Sequence, residues 1–285
     1  MYENAQKIFD YLPIELGTDN LYIQHLWGAF ETIIEKEEPV RAFSILPFHL
    51  LFMFALQYKI YRISAYHNSK YLEILKSCNI RDDGQKIVLE NNAPIIGNHS
   101  CSVRNLSLIP EGQLLNFFVI INIDDNLIKK AKELIKIRGT YAHANGNIEE
   151  DIESRIDEYL GIMKDIQSHM SETNNSQVWT SNLEDEETSV DEFMNELFTN
   201  SHFSSMDFED IIENLLKIDI NIERWNQVVN KGLELAYNKT ILELQYLEVT
   251  SKDEEKIDRI TDILHEHGEE SSVLTLEEAK ELDLI

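Results

Sequence analysis

Cysteine is nearly absent from this 285-residue chain: Cys78 and Cys101 are the only two. They form no CxxC pair and no framework, which excludes a disulfide-stapled fold and a cysteine-ligated zinc site, and reads as reduced thiols. Glycine and proline are scarce as well, ten and five residues, which excludes a loop-rich or collagen-like chain and fits helices with short connections. The sequence has no glycine-rich phosphate loop and no G-x-S-x-G nucleophile elbow. The longest apolar run, ILPFHLLFMFAL at 45–56, is shorter than the ~20 residues that span a bilayer and reads as a buried helix. The first residues, MYENAQKIFDYLPIEL, show no basic leader ahead of an apolar run, so the expectation is a cytoplasmic protein without a membrane partner. No internal repeat and no sustained heptad is present.

Positive charge is the other thing in short supply. The net charge is −27, and it is distributed unevenly. Residues 1–145 hold 15 basic and 16 acidic side chains, and residues 146–285 hold 10 and 36. Such asymmetry predicts halves with different work. An acidic half repels nucleic acid or imitates it, and beside a nearly neutral half it can keep substrate away or bind a basic partner.

What is there is helical periodicity. LYIQHLWGAFETIIEKEE (21–38) gathers Leu21, Leu26, Phe30, Ile33 and Ile34 largely on one side, with Asp19 or Asn20 as N-cap and Pro39 as terminator. A long segment from Pro47 to Ser77 is apolar all round at first and belongs in the middle of a bundle. Residues 79–110 read as an irregular insertion in which KIVL and PII are the only plausible strands. Helices resume over 113–123 and 125–138. Another is expected from Asn147, with Glu150 at N3, to about His169. Residues 171–190 read as a polar linker containing Trp179. Further helices follow, the last opened by Ser251 with Glu254 and stopped by Gly268. Trp27, Trp179 and Trp225 are expected to fill cores.

Between two of these helices lies KIRGTYAHANGN, residues 136–147. Arg138 carries a permanent charge that binds phosphate with two hydrogen bonds, and His143 titrates near neutrality. Together they supply a proton-transfer group and a cation for a pentavalent phosphate, with no metal required. Five residues apart on a straight helix, they diverge by roughly 140°. Convergence therefore calls for a bend, which Gly139 would permit, or for the same residues of a second subunit. The bland alternative is an arginine capping a helix end and a histidine bonded in a turn. NHSCSVRN (98–105) and HEHGEE (265–270) read as ordinary loop and helix-end chemistry. In the latter, His265 and His267 point different ways along a helix and lack a third metal ligand.

The run RGTYAH resembles the R-x4-H signature of the HEPN superfamily, all-helical bundles that include metal-independent endoribonucleases of toxin–antitoxin, abortive-infection and CRISPR-associated systems. The resemblance extends to the helical context over about residues 1–175. With the helical periodicity and the charge division, it gives the expected architecture: an all-α chain with an HEPN-like helical bundle over 1–175, with 79–110 as an irregular insertion, followed by an acidic helical region over 176–285. The resemblance covers only the first of these. It implies Arg138 and His143 as catalytic residues, duplicated across a homodimer formed through the bundle, with RNA as substrate and no cofactor or metal. Thr140, Tyr141 and Asn145 are candidate substrate-contacting residues, Tyr141 either stacking a base or packing. Gly139 stands where these nucleases commonly carry a polar residue. Asn145 stands where one toxin subgroup has a tyrosine modified by its antitoxin. A toxin or antiphage effector, restrained by an antitoxin or another regulatory protein, is the expected role. The rivals are a non-catalytic adaptor or immunity protein on the same scaffold, and an acidic nucleic-acid mimic.

Overall fold

The computed structural model describes residues 3–14, 16, 19–78, 103–142, 151–173, 182–185, 187–198 and 203–268. Every named element among them is helical, and the fold is all-α. The chain forms two compact units. The first joins Met1–Asn174 to a short return segment, Ser201–Asp207, and the second joins Asn175–Asn200 to Phe208–Ile285. Sequence reasoning places a boundary after residue 175 and does not anticipate the return segment. Counted by unit, the second carries 27 acidic and 8 basic side chains, net −19, and the first is net −8.

In the first unit, a 3-10 segment (Glu3–Tyr11) precedes α1 (Asn20–Ile34), α2 (Ile45–Tyr66) and α3 (Asn68–Ser77). After a 3-10 turn at Val103–Leu108 come α4 (Glu111–Leu114), which runs into a 3-10 stretch Leu115–Ile121, then α5 (Asp125–Ala142) and α6 (Ile152–Thr173). The central element is α2, packed against α1, α3, α5 and α6. Every side chain from Leu51 to Leu56 is buried, at roughly 1.5–3 kcal/mol for each large apolar side chain. Arg41–Ser64 is long and apolar enough to cross a membrane, yet 83% of its apolar window is buried inside the protein, so this bundle consumes the apolar surface a bilayer would need.

Several expected boundaries move. The helix expected from Pro47 to Ser77 breaks at His67, whose φ of −128° and ψ of 43° are not helical. The break lets Tyr71 and Leu75 enter the core, with the Tyr71 ring 5.0 Å from Phe117. Helix α1 stops at Ile34, ahead of Pro39. Asp19 does not cap it, because its carboxylate accepts a hydrogen bond from the Tyr58 hydroxyl at 3.0 Å. Helix α6 starts at Ile152, with Asp151 accepting from the Ser154 amide at 3.0 Å, so the cap is Asp151 and not Asn147. The short stretches KIVL and PII, and Trp179, lie outside the described residues.

The return segment is tied into the first unit from both ends. The Ile14 amide donates to the Phe203 carbonyl at 2.9 Å, and Pro13 and Ser204 form an isolated antiparallel bridge. Asp207 then enters a fully buried cluster. It pairs with Lys59 at 2.7 Å and with Arg62, and accepts from Gln167 at 2.9 Å and from the Ser204 amide at 2.9 Å. Arg62 also stacks on the Phe203 ring, 4.6 Å from its centroid. Burial alone would raise the Asp207 pKa. The charges of Arg62 and Lys59, with the Lys59 and Ser204 hydrogen bonds, outweigh it and hold the carboxyl well below its ordinary range.

In the second unit, α7 (Val190–Phe198), α8 (Ser205–Leu216, whose first turn belongs to the return segment), α9 (Ile222–Leu235), α10 (Tyr237–Thr250) and α11 (Glu254–Glu266) follow one another. Trp225 is fully buried, and its indole N–H donates to the Leu216 carbonyl at 2.9 Å. Helix α11 is capped by Asp253, which accepts from the Lys256 amide, while Ser251 accepts from the Asp253 amide one step earlier. The expected cap thus shifts by two residues. Gly268 ends the region at φ +70°, the left-handed conformation that glycine supplies without strain.

Candidate functional site

Helix α5 does not stop at Arg138. It continues through Gly139 to Ala142, so Gly139 makes no bend. A Cβ on Gly139 would meet nothing within 4 Å. Gly139→Ala is therefore expected to raise stability by about 0.5–1 kcal/mol through helix propensity, read as a higher urea midpoint at unchanged slope. An unchanged or lower midpoint would count against a regular helix at this point.

The last turn of α5 places the predicted residues in different settings. Tyr141 is 6% exposed and packs in the core, the second of the two roles open to it. The Thr140 hydroxyl donates to the Ile137 carbonyl at 2.7 Å. Arg138 keeps a quarter of its side chain exposed. His143 and Asn145 lie outside the described residues, and Arg138 is therefore the anchor of the site.

Arg138 heads a polar chain contributed by four helices. Its Nη2 contacts a carboxylate oxygen of Glu111 at the start of α4. The same oxygen lies 3.3 Å from Nε2 of His49 on α2, and His49 Nδ1 lies 2.9 Å from the Tyr159 hydroxyl on α6. His49 is fully buried, and its ring meets the Tyr159 ring edge-on at 5.7 Å. Neither His49 nor Glu111 is flagged by sequence reading: one sits in an apolar run and the other opens a short helix. The only signal was a polar residue inside an otherwise apolar segment.

Electrostatics fixes the direction of each bond. Burial drives the His49 pKa down, aided by the Arg138 charge and opposed by Glu111, so the ring is neutral at pH 7. Burial would raise the Glu111 pKa, but hydrogen bonds from His49 and Arg138 and the Arg138 charge bring it down to about 2. An ionised carboxylate only accepts, so His49 donates from Nε2 and its Nδ1 accepts the Tyr159 proton. Tyr159, buried, is held well above its ordinary pKa. The chain thus runs Tyr159 to His49 to Glu111, with Arg138 donating to the same carboxylate.

The neighbouring groove of about 340 Å³ between α5 and α6 is lined by Lys130, Glu133, Arg155, Glu158 and Asp165, among others. Arg155 is paired with Glu158 at 2.6 Å. With acidic groups outnumbering basic ones, it is poorly suited to an anion. Among the described residues no group of His, Cys, Asp and Glu is arranged to hold a metal ion. At the end of α11, His267 packs edge-on against Tyr237 at 5.6 Å.

No family model, curated protein or solved structure matches this chain.

Proposed function

We propose that the chain is a metal-independent endoribonuclease of the HEPN type, acting as a toxin or antiphage effector and working as a homodimer through its first unit. The observation that carries this reading is Arg138, tethered on one side by Glu111, partly exposed, and five residues ahead of His143 in the sequence. In the proposed reaction the ribose 2′-hydroxyl attacks the adjacent phosphorus while His143 takes its proton. The P–O5′ bond breaks, and the leaving 5′-oxygen takes a proton from water. Arg138 faces the charge gathering on the non-bridging oxygens. The products are a 2′,3′-cyclic phosphate and a 5′-hydroxyl end. Thr140, between these groups in sequence, and Asn145, two residues after His143, are the proposed substrate contacts, while Tyr141 supports the helix from within.

One observation favours a second reading, a non-catalytic adaptor on the same scaffold. The first unit is net −8, whereas RNA-binding proteins usually present a basic surface. Purified wild type, Arg138→Ala and His143→Ala, incubated with RNA in EDTA, separate the two. We expect cleavage by wild type, and a loss of about 10²–10⁴-fold in His143→Ala. Cleavage by none of the three, or equal cleavage by all, sinks the nuclease reading. Tight salt-sensitive binding to a DNA-processing enzyme would point instead to an acidic mimic.

A further inference from the structure

We propose that Glu111 is the positioning residue of Arg138, itself fixed by His49 and Tyr159, and that this tether decides which edge of the guanidinium a phosphate meets. The inference rests on the ribonuclease reading and adds to it three residues outside the R-x4-H run.

The argument starts from the donors of Arg138. Nη2 is committed to Glu111, and Nε is buried without an acceptor among the described residues. A phosphate cannot approach the Nε side, and the end of the guanidinium bearing Nη1 is left for it. An untethered arginine would spread its charge over many rotamers, at a cost in entropy each time a substrate bound. Glu111 would be a poor anchor if it swung freely. It does not, because the oxygen that holds Arg138 also accepts from a histidine with no exposed surface. That histidine is held in one tautomer by the Tyr159 proton. Each member removes a degree of freedom from the next, and only the last two reach solvent, at 27% and 25% exposure. With His49 buried and Glu111 ionised at any physiological pH, the chain orients charge and does not itself transfer protons to substrate.

The test combines steady-state cleavage of an RNA oligonucleotide in EDTA with ¹⁵N NMR of His49 in the full chain. Glu111→Ala is expected to lower kcat about 100-fold, as a misaligned charge does, with KM changed less than about threefold. Glu111→Asp, which keeps the carboxylate on a shorter arm, is expected to fall between. Added formate should recover about tenfold of the loss in Glu111→Ala by restoring a carboxylate to the gap; a merely structural role would not respond to it. His49 should show a protonated Nε2 and a bare Nδ1 at pH 7, and should titrate below a free imidazole because it is buried. Wild-type-like kcat in a folded Glu111→Ala, or a His49 that carries protons on both ring nitrogens at pH 7, overturns the positioning role while leaving the nuclease reading intact. A wild type that cleaves nothing removes both.

Discussion

Asp207→Ala is expected to destabilise the first unit by about 3–5 kcal/mol, the cost of removing one partner from a buried ion cluster. Lys59, Arg62 and Asp207 are 1%, 3% and 1% exposed, so neither cation has water to turn to once the carboxylate is gone. Among the described residues the cluster sets Lys59 and Arg62 against the single carboxylate of Asp207, which pairs with both. Lys59→Met should cost less, below about 2 kcal/mol, because it leaves Arg62 and Asp207 as a balanced pair and forfeits mainly the Lys59 hydrogen bonds. Calorimetry of the full chain would show the first unit's transition fall by roughly 10 °C in Asp207→Ala; equal shifts in the two variants would refute the charge argument. The pH dependence has a definite sign. The Asp207 pKa is depressed on folding, so its stabilisation is fully present above the unfolded value near 3.8. It is lost as the pH falls below that toward the folded value. Wild type should therefore lose stability below about pH 4, and Asp207→Ala should lack that part of the acid sensitivity.

This cluster also marks the limit of what the sequence discloses. Helices α1, α2, α5 and α6 are legible because apolar side chains recur with the helical period, and α2 is legible as central because it is apolar on every side. Periodicity reports which face is buried and says nothing about what it is buried against. Asp207 meets Lys59 across 148 positions, and Glu111 meets Arg138 across 27. Such pairings are set by packing, and no local pattern announces them. Arg138 stood out because a short motif surrounds it. Glu111 and His49 have no motif, although together they fix how Arg138 is held. The helix boundaries that moved did so for a related reason. Asp19 would make a good N-cap in isolation, but it is buried and claimed by Tyr58, a tertiary contact that outweighs local capping preference. The charge division also misleads when read along the chain. Helix α6 and the return segment belong to the first unit, so that unit is acidic and not neutral.

Truncation is where the return segment matters most for function. A chain ending at residue 180 is expected not to fold, because it leaves Lys59 and Arg62 buried without Asp207 and strips away Phe203 and Ser204, which are 2% and 1% exposed. Inactivity of such a chain would carry no message about the acidic region. A chain ending at residue 208 keeps Asp207, the Phe203 stack and the bridge to Pro13, and is expected to retain the first unit's cooperative transition. It also discards α9 to α11 and most of α8, and with them a large part of the second unit's net −19. If the chain is the ribonuclease proposed above and that acidity keeps RNA away, kcat/KM for RNA in the shorter chain should exceed that of the full chain by about tenfold at low salt. The gain should fade as ionic strength rises, since repulsion between exposed charges is screened within a Debye length of about 10 Å at 0.1 M. A gain that persists at high salt would mean that the second unit obstructs the site sterically, and no gain at all would remove any inhibitory role for it. Should the chain ending at residue 180 prove as stable as the one ending at 208, the return segment is dispensable and the buried cluster contributes far less than its geometry implies.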